Sequence, residues 1–392
     1  MLAKTMSKTT TVAFSTILLV GGGSANALET QIGNTTVSLG GYVKADVIHN
    51  FDEDMGDLWF VNAIPVVDKD GNVDSPLGIP EGGSGQTIFH ARETRLNFAT
   101  STPTTRGEVN TLIEFDWFDN ATSSGGIQPR LRHAFVEWNG LLAGQYWSNF
   151  MPLVALPSTL DFNGPAGYVF VRQAQLRYTQ PLAGSNQFAV ALERPNSAIR
   201  DGAPEGSNQL DSIPDITAQF SGREGGLVYS LAGLLTFPEV EGDVDDSTVG
   251  FGVSANAGFT FPTGTTIGGQ ATYVDGGNRY LTGSAGFSSS SFIDDGDIET
   301  FSELGLMAYI GQPLSQTVTA NLVLGYVDTD TGNDTDAAGI LQDELVSVHV
   351  NVQWQPVDRL MYGVEFQWAE RELSDGSSND VSRLQASARW NF

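Results

Sequence analysis

Cysteine is absent from the 392 residues. Disulfides therefore hold nothing together here, and stability has to come from backbone hydrogen bonding and burial. Long apolar runs are missing too. After the N-terminus no segment approaches the roughly 18 apolar residues of a helical membrane span. Positive charge is scarce: 19 Lys and Arg stand against 46 Asp and Glu, a net charge of −27. Such a chain is a poor partner for nucleic acid. The four histidines, His49, His90, His133 and His349, stand singly, none at metal-ligand spacing. No Gly-rich phosphate loop and no compelling Ser/His pair is present. These absences argue against an enzyme and call for no cofactor.

What the chain has instead is alternation. At its end, Leu384, Ala386, Ala388, Trp390 and Phe392 form an apolar row, and Arg383, Gln385, Ser387, Arg389 and Asn391 a polar one. A period of two is a strand with one greasy and one wet face. Termini usually fray, yet this strand stays regular to its final aromatic residue, at a length that suits a tilted bilayer crossing. At the other end, residues 1–27 read as a secretory signal peptide. Lys4 and Lys8 give the positive n-region, 12–20 the short apolar core, and Ala25-Asn26-Ala27 the cleavage site. Cleavage after Ala27 leaves 28–392 as one domain and, with two lysines lost, a charge of −29. An exported chain that spans a membrane without helices has to be a closed barrel.

Alternating stretches occur at 37–50, 88–99, 107–118, 129–139, 140–147, 168–178, 186–194, 213–221, 225–237, 247–260, 266–279, 300–312, 316–328, 341–355, 358–371 and 380–392. The connections alternate in length. Short turns at 102–104, 139–140, 181–184, 222–225, 262–264, 313–314 and 356–357 carry Gly, Pro or Asn. Long connections fill 51–87, 119–128, 148–167, 195–212, 238–246, 280–299, 329–340 and 372–379, with acid gathered at 52–57, 68–74, 239–246, 294–299 and 328–336. The expected fold is all-β: a 16-stranded antiparallel transmembrane β-barrel with short periplasmic turns, long extracellular loops and a water-filled lumen. Its place is the bacterial outer membrane, in contact with lipid and lipopolysaccharide.

Three segments carry a family likeness: 41–46 (GYVKAD), 91–98 (ARETRLNF) and 131–138 (LRHAFVEW), continued through 143–150 (AGQYWSNF) and the aromatic C-terminus. Together they resemble the DcaP-like family of outer-membrane porins. The resemblance implies a homotrimer, passive diffusion of small anionic, dicarboxylate-like solutes, and recognition of Phe392 by the barrel-assembly machinery. It also departs from family members that carry a helical stalk, since only about ten residues separate Ala27 from the first strand.

Loop 148–167 is unusually apolar, and apolar loops pack against something. In porins the third external loop enters the lumen, so 148–167 is the constriction candidate, with Phe150, Leu153, Leu156, Asp161 and Phe162 as its contributing residues. A rim or trimer contact is the alternative. A charge facing lipid near the midplane costs about 2–4 kcal/mol, so strand charges should face inward. Lys44, Asp46, Glu93, Arg95, Glu114, Asp116, Arg132, Arg177, Arg383 and Arg389 are the expected pore-lining set. Parity sends Arg95 and Arg177 inward, puts Arg92 and Arg172 on the opposite parity, at a trimer interface or above the membrane, and leaves the direction of Arg132 open. Rings of Arg or Lys favour anions. Two alternatives stay open: a cation-preferring general porin, given the acidic loops, and a non-conducting barrel acting as adhesin or lipid hydrolase. The segment 68–74 looks briefly like a calcium loop but lacks its sixth-position Gly. Asp328, Asp330, Asp334 and Asp336 form a second acidic run that could hold a divalent cation, though such runs are more often solvated loop charge.

Overall fold

The computed structural model describes residues 27–56, 61, 64–75, 85–120 (the side chains of 119 and 120 excepted), 127–196, 199, 206–285, 290–330 and 341–392. The signal-peptide segment, Ala27 excepted, lies outside the described residues. Sixteen antiparallel strands close into a barrel. They are β1 (Thr35–Asn50), β2 (Arg95–Thr104), β3 (Gly107–Asn120), β4 (Ile127–Trp138), β5 (Leu141–Trp147), β6 (Arg172–Pro181), β7 (Gln187–Glu193) and β8 (Asp215–Glu224). The second half comprises β9 (Leu227–Thr236), β10 (Gly250–Thr260), β11 (Thr266–Asp275), β12 (Ser302–Pro313), β13 (Val318–Asp330), β14 (Gln342–Val357), β15 (Leu360–Leu373) and β16 (Ser378–Asn391). Closure occurs where the terminal alternation places it. β16 pairs with β1 in the register Lys44↔Arg389 and Val47↔Ala386, and the Phe392 amide donates to the Gly41 carbonyl at 3.1 Å.

Alternation sets the two faces. Val350, Val352 and Trp354 of β14, Tyr362, Val364 and Phe366 of β15, and Leu384 and Trp390 of β16 are exposed outward. Their neighbours Ser347, His349, Asn351, Glu365, Gln367, Arg383 and Gln385 are buried within. Apolar side chains outside and polar ones inside invert the soluble-protein pattern, as a lipid solvent demands. Asn139 and Gly140 both take positive φ, 49° and 83°, which is the two-residue hairpin turn that Asn-Gly favours between β4 and β5. Because Val350 sits mid-strand on the outer face, Val350→Arg is expected to cost about 2–4 kcal/mol, read as lowered unfolding free energy in lipid vesicles. A loss near zero would contradict that placement.

Three departures from the alternation have local causes. The stretch expected as 88–99 is broken. Gln86–His90 pairs with the upper part of β1, a turn intervenes, and β2 pairs with its lower part. The turn lets Glu93 point inward to Lys44 and Tyr42, and Thr94 bridge the Lys44 backbone at 3.2 Å. Leu28–Ile32 adds a short strand on the start of β1, so the span between Ala27 and the barrel is itself paired. Turns are also tighter than expected. Pro103 and Pro356-Val357 belong to strands, and the chain reverses just beyond them. Within the long connections, Val66–Val67 pairs with Val73–Asp74, Ser291–Asp294 with Asp297–Thr300, and Glu239–Gly242 with both Ser207–Leu210 and Asp246–Ser247.

Candidate functional site

Segment 148–171 leaves β5 and rejoins the barrel at β6. The Ser148 amide meets the Val171 carbonyl at 2.9 Å, closing the neck. Between those points the chain lies inside the barrel. Its apolar residues do the seating. Phe150 and Met151 are fully buried with Ala232, Leu234, Val274, Met307 and Val323 of the inner wall, and Leu153 and Leu156 pack against the same cluster. The wall accommodates this by being small there. A Cβ on Gly252 would stand 3.1 Å from the Phe150 ring, one on Gly258 2.6 Å from Ala155, and one on Gly325 2.4 Å from the Ala166 carbonyl. Polar contacts fix the rest. Asn149 donates its amide to Glu193 at 2.8 Å, Gln219 reaches the Asn149 carbonyl at 2.9 Å, and the Ala166 amide meets Ser347 at 2.9 Å. Phe150, Leu153 and Leu156 thus anchor the loop, while Phe162, half-buried, is the residue that projects from its other side.

Phe162 projects into arginines. The guanidinium carbons of Arg130, Arg132 and Arg95 lie 5.3, 5.5 and 5.8 Å from its ring centre, and Phe118 stacks on it at 4.7 Å. Arg132 arrives there through an irregularity that alternation does not show. Glu114 pairs with His133 and Phe115 with Leu131, so Arg132 is the extra residue of a β-bulge. A bulge re-aims side chains, and both Arg132 and His133 turn inward. Arg172 packs 4.9 Å above the Trp147 ring, which Arg132 also covers, and joins the same cluster. Arg92 lies over Phe118 at 5.3 Å.

Four acids beside this cluster are paired. Asp116 accepts two bonds from Arg130, at 2.9 and 2.7 Å, and one from Arg132 at 2.9 Å; Glu114 accepts Arg132 at 2.7 Å. Lys44 is bonded to Glu93 and stands 3.3 Å from Asp46. Arg95, Arg172, Arg177 and Arg389 differ. Among the described residues none has a carboxylate within ion-pair distance, and each lies against an aromatic face: Tyr42 for Arg95 and Arg389, Trp147 for Arg172, Tyr146 for Arg177. Buried donors on Arg95, Arg172 and Arg389 lack a hydrogen-bond acceptor. Arg383 also faces inward, but it is fully buried. It donates to Asn50 at 2.7 Å and to the Gly56 carbonyl at 2.8 Å, with Asp161 at 3.7 Å. It ties loops to the wall and is not exposed to the lumen.

Two further loops enter the barrel mouth, which alternation did not foretell. Met55, Val61 and Ile64 of the first long connection pack with Val327, Leu345, Ala369 and Val381 of the inner wall. Residues 278–282 lie against the returning arm of 148–171, through Phe170 amide to Tyr280 carbonyl at 3.1 Å and Thr282 amide to Tyr168 carbonyl at 2.8 Å. Arg279 and Tyr280 both bond Asp215, the latter at 2.7 Å. The only sequence signal was apolar and aromatic residues inside otherwise acidic loops. The segment that resembled a calcium loop is a capped turn. Asp68 accepts the amides of Asp70 and Asn72 at 2.9 and 2.8 Å, and these bonds with Asn72 hold its carboxyl below the usual range. The amides of Lys69 and Ser377 do the same for Asp375, tying this loop to the one before β16. Among the described residues no group of three acidic, His or Cys side chains is placed to hold a metal. Asp334 and Asp336 lie outside them.

A closed sixteen-stranded barrel with lipid-facing apolar residues, a polar interior and a loop folded into it is the architecture of an outer-membrane porin. The family model of the DcaP outer membrane protein matches residues 34–392, and the chain belongs to that family. It is similar to the outer membrane channel DcaP of Acinetobacter baumannii, at 25% identity over 93% of this chain and 99% of that one, with a TM-score of 0.81. OmpT of Vibrio cholerae is similar at 11% identity, covering 93% of this chain and 100% of that one, TM-score 0.59. The anion-selective porin from Comamonas acidovorans follows at 12%, 91% and 100%, TM-score 0.55. The last two speak for the fold alone. None of the curated proteins matches the chain. The protein is therefore an outer-membrane channel.

Proposed function

We propose that this channel passes small hydrophilic anions, dicarboxylates among them, by passive diffusion, and that selection occurs where Phe162 faces Arg95, Arg130 and Arg132. One observation carries the reading. In the arginine cluster, Glu114 and Asp116 are paired with Arg130 and Arg132, and Asp46 and Glu93 with Lys44, while Arg95, Arg172, Arg177 and Arg389 have no carboxylate within ion-pair distance among the described residues. Free positive charge in a confined lumen raises the local anion concentration. Guanidinium groups also pair with carboxylates in bidentate fashion. The seated loop 148–171 sets the size limit in this reading. Homotrimer formation, cleavage after Ala27, and handling of Phe392 by the assembly machinery belong to the same proposal.

The acidic outer loops favour the opposite sign, because they concentrate cations at the mouth. Fields are least screened where the channel is narrow, so the arginine cluster should prevail. In planar bilayers under a salt gradient, the zero-current potential is expected to report anion preference. Liposomes should swell faster in dicarboxylates than in diamines of equal size. A cation-selective potential would overturn the proposal, and no conductance at all would favour the non-conducting alternative.

A further inference from the structure

The inward loop is held hardest at one peptide. The Leu160 amide donates to one oxygen of Glu365 and the Asp161 amide to the other, both at 2.9 Å. The Leu160 carbonyl accepts Lys44 at 2.9 Å and Gln385 at 3.0 Å. Its side chain is buried against Gly363, where any Cβ would come within 2.8 Å of it. Next along the chain, Asp161 accepts the amides of Asn163 and Gly164 at 3.1 and 3.0 Å, a tight turn that leaves Phe162 projecting between two fixed residues. The Glu365 carboxylate is fully engaged, since Asn351 and Gln367 donate to it at 2.8 and 2.9 Å. Gln219 also holds two points of this loop, the Asn149 and Met151 carbonyls at 2.9 and 3.2 Å, but among the described residues Glu365 alone takes two successive amides, and does so through a charged group.

We infer that Glu365, with Gly363, Lys44 and Gln385, forms a socket on β15, β16 and β1 that fixes the depth of Phe162 and thereby the aperture. Glu365 is a positioning residue for selection and touches no solute. Lys44, expected among the pore-lining residues, is bonded to Glu93 and the loop carbonyl and stands beside Asp46. The inference rests on the reading that 148–171 sets the size limit.

Hydrogen bonds to a charged group are each worth enough that losing one frees the tip about tenfold more often. Glu365→Ala should therefore flicker between the wild-type level and a larger conductance, and admit larger solutes in liposome swelling. Glu365→Gln, which retains one acceptor oxygen, should lie between. A structural defect elsewhere in the barrel would not be reversed by re-tethering the tip, and this chain has no cysteine to interfere. The Leu160 Cγ lies 3.3 Å from the Cβ a residue at 363 would carry, a spacing a disulfide can bridge. Leu160→Cys with Gly363→Cys in the Glu365→Ala background should restore quiet, wild-type conductance when oxidised and lose it on reduction. Wild-type conductance, noise and size limit in heat-modifiable, folded Glu365→Ala would overturn the inference. Phe162→Gly separates the two layers. If it enlarges the aperture while Glu365→Ala does not, only the socket fails; if neither does, the constriction reading fails with it.

Discussion

A barrel carrying Arg95→Gln, Arg172→Gln and Arg389→Gln together is expected to reverse its selectivity and pass potassium ahead of chloride. The three guanidinium groups are the ones to remove because, among the described residues, no carboxylate lies within ion-pair distance of them. At about 6 Å in water-like surroundings, one unit charge shifts an ion's energy by about 0.7 kcal/mol, less with screening at moderate salt. The shift acts with opposite sign on anion and cation, so each loss should move the permeability ratio by about three- to tenfold at low ionic strength. Of the four arginines without a carboxylate only Arg177 then remains, and the acidic loops decide the sign. Arg132 would be the wrong residue to choose. It is buried between Glu114 and Asp116, and breaking a buried pair costs about 3–5 kcal/mol, so lost folding would be confused with lost selectivity. Arg106→Gln at an exposed turn should leave the zero-current potential where it is. A triple variant that stays as anion-selective as the wild type would remove these arginines from the filter.

Which parts of this site the sequence disclosed follows from what parity can report. Alternation reads the face of a side chain as long as pairing proceeds one residue against one. It therefore located Arg95, Arg177, Glu114 and the whole terminal strand correctly with respect to inside and outside, and it found the strand that closes the barrel. Arg132 escaped because one extra residue in β4 slips the count. Glu93 was assigned inward correctly, although the strand around it is broken. What alternation cannot report is partnership. Arg383 and Arg389 occupy the same face of the same strand, yet one is locked to Asn50 and Gly56 while the other lies free over Tyr42. That difference is made by a loop more than 300 residues away in sequence. The apolar content of 148–167 showed that the loop packs, but its partners include glycines spread over β10, β12, β13 and β15, whose meaning emerges only once the barrel brings them to one wall.

Those glycines make the second large effect. Gly325→Val is expected to lift the returning arm of the loop from the wall and lower conductance severalfold. A Cβ at 325 would sit 2.4 and 2.6 Å from the Ala166 carbonyl and amide, and 2.6 Å from the Ser347 hydroxyl that bonds that amide. The Ser347 hydroxyl can rotate away, but the two Ala166 contacts are backbone and cannot. Opposite, Gly167 already holds φ at +72° with Tyr326 and Leu306 backbone against it, so the arm has no slack. The strand itself should tolerate the change, since valine suits a pleated sheet better than glycine does. Overpacking of this kind costs about 1–3 kcal/mol, less when the displaced piece is a loop that can move. It can move only toward the lumen, carrying the chain around Phe162 closer to Arg95 and Arg130. Conductance should therefore fall, opposite to the rise expected on releasing Glu365. Gly233→Val is the control: it lies on the outer face of β9, where a Cβ meets nothing nearer than 4.0 Å, and should conduct as the wild type does. Unchanged conductance in Gly325→Val would mean that the loop's seat on β13 does not govern the aperture, and a rise would mean that the arm swings away from the arginines when it is dislodged.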